Sequence, residues 1–114
     1  MKRVTIKKLE KKELEVLQYE INHFALQIQS SINSSDILNF LDSIIAIDIM
    51  SNLFYVLRNR IEKENTFTTL TLPISQASTI MKVCHFNENE RSLYTKNVML
   101  KISRIIDQQL KSFI

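Results

Sequence analysis

The residue types that carry nucleophilic chemistry are scarce in this chain. It contains one cysteine, Cys84, and two histidines, His23 and His85. A cysteine nucleophile needs a histidine within hydrogen-bonding reach, but side chains adjacent on a helix, such as Cys84 and His85, diverge by about 100°. Only a tertiary approach of His23 to Cys84 would supply the base. We therefore predict no enzymatic activity and read Cys84 as a small buried side chain.

The sequence gives as little support for a metal or cofactor site as it does for a nucleophile. Glu20 and His23 form an E-x-x-H pair on a predicted helix, but di-metal bundles use two such pairs and further glutamates. The chain has no C-x-x-C or H-E-x-x-H pattern. It also has no glycine, which phosphate-binding loops and dinucleotide fingerprints require. We predict no metal, no cofactor and no small-molecule ligand.

Asp48 is the one carboxylate inside a strongly apolar run, Ile44–Met50. A buried carboxylate needs a partner and is often functional. At helical spacing, however, Asp48 falls on the same side as Ser51, Asn52 and Asn59. We therefore expect it in solvent or at the rim of an interface.

Composition favours helices to position these residues. The 114 residues are 45% hydrophobic and 24% charged, which fits one globular domain. Missing glycine disfavours tight β-hairpins and favours helices that break at Asn33, Asn65 and Asn87. One cysteine permits no internal disulfide, and the N-terminus lacks the apolar region of a signal peptide. No run of about 20 apolar residues is present, so we predict a cytoplasmic protein without a membrane segment.

Apolar spacing predicts an all-α antiparallel bundle. Three long helices run at about 7–32, 36–63 and 88–112, and a short helix at about 74–86. On the first helix, Glu13 and Glu20 fall opposite the apolar stripe. The apolar stripe of that helix recurs at spacings of three and four, at Leu14, Leu17, Ile21, Phe24 and Ile28. The threonine-rich stretch 64–73 is predicted to be an extended connection, or a short strand packed on the bundle or paired with another protomer.

The helix at 36–63 is apolar around more than half of its circumference, and its polar strip also carries apolar side chains. One core does not need that much apolar surface, and exposed apolar patches mark interaction sites. We predict a helical interaction or scaffold module that forms a homodimer or binds another helical protein. The alternative is that the last helix covers the side of this helix that faces away from the core. The predicted interface contains Ile37, Leu41, Ile44, Asp48 and Tyr55.

The net charge of +3 is concentrated at one end. The first twelve residues carry six basic side chains and Glu10, or +5, and the remainder carries nine basic and eleven acidic residues, or −2. The alternative function is therefore a small nucleic-acid-binding accessory protein with a basic N-terminal arm. Glu13 and Glu15 follow at once, which is typical of a solvated helix start. The predicted phosphate contacts are Lys2, Arg3, Lys7, Lys8, Lys11 and Lys12.

Overall fold

A computed structural model describes residues 2–31, 37–63, 66–86 and 90–113. These residues form a two-stranded antiparallel sheet and four helices. The all-α prediction is therefore wrong, and the fold is a small α+β arrangement. Along the chain, the elements are β1 (Arg3–Glu10), α1 (Lys11–Ser31), α2 (Ile37–Glu62), β2 (Phe67–Pro73), α3 (Ile74–Cys84) and α4 (Leu93–Lys111).

Strand β1 replaces the predicted start of the first helix. Val4 and Ile6 are buried while Arg3 and Lys7 are exposed, which is the period of two expected for a half-buried strand. The basic residues on the outward face conceal this alternation in the sequence. Helix α1 consequently begins at Lys11, and the basic segment is part of the folded body and not a separate arm.

Strand β2 settles the question that the sequence leaves open for residues 64–73. It pairs with β1 of the same chain, from Arg3 opposite Pro73 to Glu10 opposite Phe67. A bulge between Ile6 and Leu9 places one extra residue in β1, and Lys8 there has a φ of 57°. Glycine usually takes this left-handed position, and a lysine there costs about 1–2 kcal/mol.

The other boundaries also differ from the predicted ones. Helix α4 begins at Leu93, not near residue 88, and its N-cap is Ser92, whose hydroxyl accepts a hydrogen bond from the Thr95 amide at 3.2 Å. A serine cap satisfies one of the amides that a helix start leaves unpaired. Helix α3 ends at Cys84 and not near residue 86. The breaks predicted at Asn33, Asn65 and Asn87 lie outside the described residues.

One core lies between the inner face of the sheet and the helices. Helices α3 and α4 pack on each other, α4 also packs on β1, and α1 packs along α2. The largest fully buried side chains come from both strands and all four helices, and they are Ile6, Leu9, Leu14, Leu17, Ile21, Met50, Leu53, Leu57, Leu70, Leu72, Ile80 and Met99.

A side chain of α4 closes the second edge of β1. The Thr5 amide donates a hydrogen bond to Oε1 of Gln109 at 2.8 Å, and Nε2 of Gln109 donates to the Thr5 carbonyl at 2.5 Å. The amide of Gln109 thus takes the place of a third strand at Thr5. This pairing occupies main-chain groups that an open sheet edge would offer to other chains.

Candidate interaction surface

The α1–α2 hairpin extends beyond the core. No residue in 22–30 or 39–49 is buried, whereas Ile21 and Met50, where these segments meet the core, are almost completely buried. We call these two segments the arm. Five large apolar side chains of the arm are between 37% and 59% exposed: Leu26, Phe40, Leu41, Ile44 and Ile45.

The predicted interface residues on α2 share one face. Leu41, Ile44 and Tyr55 are exposed large apolar residues, and Asp48 is exposed among them. At 3.6 residues per turn these four side chains lie within about 60° of one another, and we call them the outer stripe. They point away from the side of α2 that enters the core. The side chain of Ile37 lies outside the described part of the structure.

Helix α4 does not cover the outer stripe. Helix α2 packs mainly along α1 and more lightly on α3, whereas α4 packs on α3, β1 and α1. The alternative in which the last helix shields the back of α2 therefore does not describe this fold. Within the described residues, the outer stripe faces solvent.

The total surface is larger than that of a compact monomer of the same mass. The chain exposes 7440 Å², whereas a compact monomer of 13.4 kDa exposes about 6,500 Å² by the usual scaling with mass.

One helical segment in the described part of the chain, Asn39–Glu62, is long and apolar enough to cross a membrane. The core helix of a soluble protein can have the same length and composition, but most of its residues are then buried. In α2 only 17% of the most apolar stretch is buried.

An open cleft of about 670 Å³ lies between α1 and the segment that leads into α4. Nε of Arg91 lies 2.7 Å from Oε1 of Glu20, and both side chains are only 7% exposed. Nη1 and Nη2 of Arg91 donate to the carbonyls of Cys84 and Val83, at 2.7 and 2.5 Å. One guanidinium thus joins α1 to the carboxyl end of α3, where a positive charge is favourable. These contacts indicate a structural role for the pair.

A second ion pair holds the start of α1. Glu13 accepts a hydrogen bond from the Glu10 amide at 2.9 Å, as the third helical residue does in a capping box. Nζ of Lys101 lies 3.0 Å from both carboxylate oxygens of Glu13. Both Glu13 and Glu20 are buried, so the prediction that they fall opposite the apolar stripe of α1 is wrong. At 100° per residue they lie about 60° and 80° from the centre of that stripe, at its edge.

His23, Cys84 and Asp48 do not converge. His23 lines the cleft, Cys84 and its sequence neighbour His85 line a separate cavity of about 250 Å³, and Asp48 is on the arm. Glu20, which has metal-ligand spacing to His23, is held by Arg91. Within residues 2–31, 37–63, 66–86 and 90–113, no group of three or more histidine, cysteine, aspartate or glutamate side chains is arranged to hold a metal ion.

The six basic residues of the alternative function are all exposed. They lie on β1, immediately before it and in the first turn of α1. Lys2 is also engaged with the last residues of α4, because its Nζ is 3.4 Å from the Phe113 carbonyl oxygen and 5.1 Å from the centre of the Phe113 ring. The set therefore lies on the solvent-facing surface of the N-terminal part of the folded body.

No protein-family model, curated protein or solved structure matches this chain. Its function has to be inferred from the chemistry of its own surface.

Proposed function

We propose that this protein is a non-enzymatic helical interaction module that self-associates through the arm and the outer stripe. The observation that carries the proposal is that the arm exposes five large apolar side chains and contains no buried residue. A hairpin that extends beyond its own core in this way acquires an apolar environment only from another molecule. A second copy offers the same apolar surface, and symmetric dimers are the commonest oligomers.

The energetics favour association of moderate strength. Full burial of a large apolar side chain contributes about 1.5–3 kcal/mol, so covering the five roughly half-exposed arm residues gives about 1 kcal/mol each. Two chains together gain about 10 kcal/mol, within the range of about 4–15 kcal/mol that association costs in lost freedom. The outer-stripe residue Tyr55 adds to this gain. At the low end of that cost, a net of about 6–8 kcal/mol remains, so we expect a weak dimer with a dissociation constant of about 1–40 µM.

The core contacts of α2 argue against a membrane-spanning role for its apolar surface. A spanning helix needs about 20 residues in the bilayer. Met50, Leu53 and Leu57 are fully buried in the core, so they are not available to lipid while the domain is folded. The uncommitted part, residues 39–49, is about 16 Å long at 1.5 Å per residue, roughly half the thickness of the hydrocarbon layer.

Size-exclusion chromatography with light scattering, from 1 to 100 µM, tests the proposal. Leu41→Ser is the test variant and Leu100→Ser on α4 is its control, because these two leucines are 47% and 46% exposed. We expect concentration-dependent dimers that Leu41→Ser weakens and Leu100→Ser does not, with similar melting temperatures for both variants at concentrations where the chain is monomeric. A single 13.4 kDa species throughout the concentration range would refute the proposal.

A second candidate is nucleic-acid binding, favoured by the exposure of all six basic residues within the first twelve positions. Deleting residues 1–12 would not test it, because Val4, Ile6 and Leu9 belong to the core and the truncated chain would unfold. Neutral substitutions of the exposed Lys7 and Lys11 keep the fold and remove two charges. Salt-sensitive RNA or DNA retention that falls in a Lys7→Gln, Lys11→Gln variant would support this function, and retention unchanged by the substitutions would exclude it.

A further inference from the structure

We infer that the open cleft between α1 and the start of α4 binds an arginine side chain of a partner polypeptide, through two exposed tyrosines and two glutamates. The inference goes beyond the proposed self-association, because no described residue of α2, which carries the outer stripe, lines this cleft. Binding in the cleft and association through the outer stripe can therefore be tested separately.

The cleft has two walls that a buried ion pair joins. The first wall is one side of α1, because the lining residues at positions 12, 15, 16, 19, 20 and 23 share one face of the helix. The second wall is the segment 90–95, which leads into α4 and forms its first turn. Arg91 in the second wall contacts Glu20 in the first at 2.7 Å, and both side chains are almost completely buried. This contact fixes the distance between the walls before a ligand binds.

Each wall presents an exposed tyrosine to the cleft. Tyr19 on α1 is 68% exposed and Tyr94 on α4 is 51% exposed, and both line the cleft. The ring of Tyr19 stacks in parallel on His23, with 6.2 Å between the ring centroids and 5° between the planes, which restricts its orientation. Phe86 adds a third aromatic side chain to the lining and is held edge-on by Phe24, at 4.8 Å between centroids. The faces of such rings attract cations.

The charges in the cleft also favour a cation. Its lining contains two basic residues, Lys12 and Arg91, and three acidic residues, Glu15, Glu20 and Glu90. Arg91 and Glu20 neutralise each other. Within the part of the chain that the structure describes, the other three form no ion pair, so one lysine and two glutamates leave a net charge of −1. One of these glutamates lies on each wall, beside the tyrosine of that wall in the lining.

A guanidinium group suits this lining better than other organic cations. It is planar, stacks on aromatic faces and offers five N–H donors to carboxylates. A quaternary ammonium would contact the rings but donate no hydrogen bond to the glutamates, and the ammonium of lysine is more strongly hydrated. The cleft volume of about 670 Å³ is in the range of sites that enclose a drug-sized ligand. The cleft therefore has room for the residues beside an arginine, which favours a peptide over the free amino acid.

Amide chemical shifts of the isotopically labelled full chain, titrated with the peptide acetyl-Ala-Arg-Ala-amide, test the inference. We expect shifts at residues that line the cleft and a dissociation constant of about 0.1–5 mM, as a few exposed contacts provide. Tyr19→Leu and Tyr94→Leu should each weaken binding by about two- to fivefold. Tyr55→Leu is the matched control, because Tyr55 is 60% exposed but belongs to the outer stripe.

The glutamates are tested with the same peptide. Replacing Glu15 and Glu90 together by glutamine should weaken binding by about 3- to 20-fold. Glu62→Gln is the control, because Glu62 is an exposed glutamate of α2, and it should bind the peptide as wild type does. A peptide with citrulline in place of arginine keeps the shape without the charge, and it should bind at least about tenfold more weakly.

Three results would overturn the arginine site: equal binding of the arginine and citrulline peptides, unchanged binding in the tyrosine or glutamate variants, or no shifts at about 10 mM peptide. Tighter binding of choline or of free arginine than of the arginine peptide would overturn the choice of ligand. Leu41→Ser, which is expected to weaken self-association, should bind the arginine peptide as wild type does. Peptide binding by a chain that stays monomeric would refute the proposed self-association and leave the arginine site standing.

Discussion

Arg91→Met is expected to be among the most destabilising single substitutions in this protein. Arg91 makes three hydrogen bonds of 2.5–2.7 Å, to Glu20 and to two carbonyls at the end of α3. Methionine has a similar reach but donates no hydrogen bond. The substitution therefore leaves the carboxylate of Glu20 buried without its cation and releases α3 from α1.

The size of the loss follows from burial. Removing one member of a buried ion pair typically costs about 3–5 kcal/mol. A domain of 114 residues has a total stability of about 6–17 kcal/mol, so Arg91→Met should remove a large share of it. With a urea dependence of about 2 kcal/mol per molar, the unfolding midpoint should fall by about 2 M. Glu20→Met in the same chain should restore part of the loss, because the unpaired charge is then gone.

Urea unfolding followed by far-ultraviolet circular dichroism measures the effect, at protein concentrations low enough to keep the chain monomeric. Arg58→Met is the control, because Arg58 forms the same kind of pair with Glu62 at 3.1 Å but its side chain is 60% exposed. An exposed pair of this kind contributes at most about 0.5 kcal/mol. Equal midpoint shifts for Arg91→Met and Arg58→Met would refute the reasoning that burial makes the Arg91 contacts strong.

Two further predictions concern β1. Lys8→Gly should stabilise the fold by about 0.5–1 kcal/mol in thermal unfolding, because glycine accepts a φ of 57° without the steric cost of a side chain. Lys7→Gly, on the same strand, should destabilise the fold. If Lys7→Gly were more stable than Lys8→Gly, the assignment of the bulge to Lys8 would be refuted. Gln109→Glu keeps an acceptor for the Thr5 amide but sets a carboxylate against the Thr5 carbonyl. At pH 8, Gln109→Glu should lower the free energy of unfolding more than Gln109→Ala does. As the pH falls and the carboxyl regains a proton, the stability of Gln109→Glu should recover. A loss of stability that does not depend on pH would contradict the described pairing.

The pair formed by β1 and β2 is absent from the prediction made from the sequence, and the absence of glycine is the reason. Absence of glycine disfavours a sheet only if its strands are joined by tight turns. Here β1 and β2 are separated by the α1–α2 hairpin, so no β-turn joins them. The one left-handed position in the described strands is taken by Lys8. The alternation of Val4 and Ile6 is present in the sequence, but the basic residues on either side of them favour a solvated helix start.

The candidate interface was more accessible to sequence analysis than the polar contacts. Helical spacing is enough to place Leu41, Ile44 and Tyr55 on one face of α2, because periodicity is a local property. Its role in self-association stays a prediction. The burial of Glu20 and Glu13 depends on cations far along the chain, which only the tertiary fold brings together. Spacing within α1 places both glutamates at the edge of its apolar stripe, but it does not identify the cations that pair with them.

The pairing of Thr5 with Gln109 has a consequence for how the chain folds. These residues are 104 positions apart, and β1 reaches its strand partner only after the whole α1–α2 hairpin has been made. At about 5–20 residues per second, a growing chain carries β1 for about 5–20 s before Gln109 exists. Until β2 has been made, both edges of the strand lack their final partners, and the edge at Thr5 lacks its partner until Gln109 follows; an open strand edge is a hazard for aggregation. Arg3, Lys7 and Lys8 place positive charge along this segment, and charged side chains disfavour the pairing of an open strand with other chains.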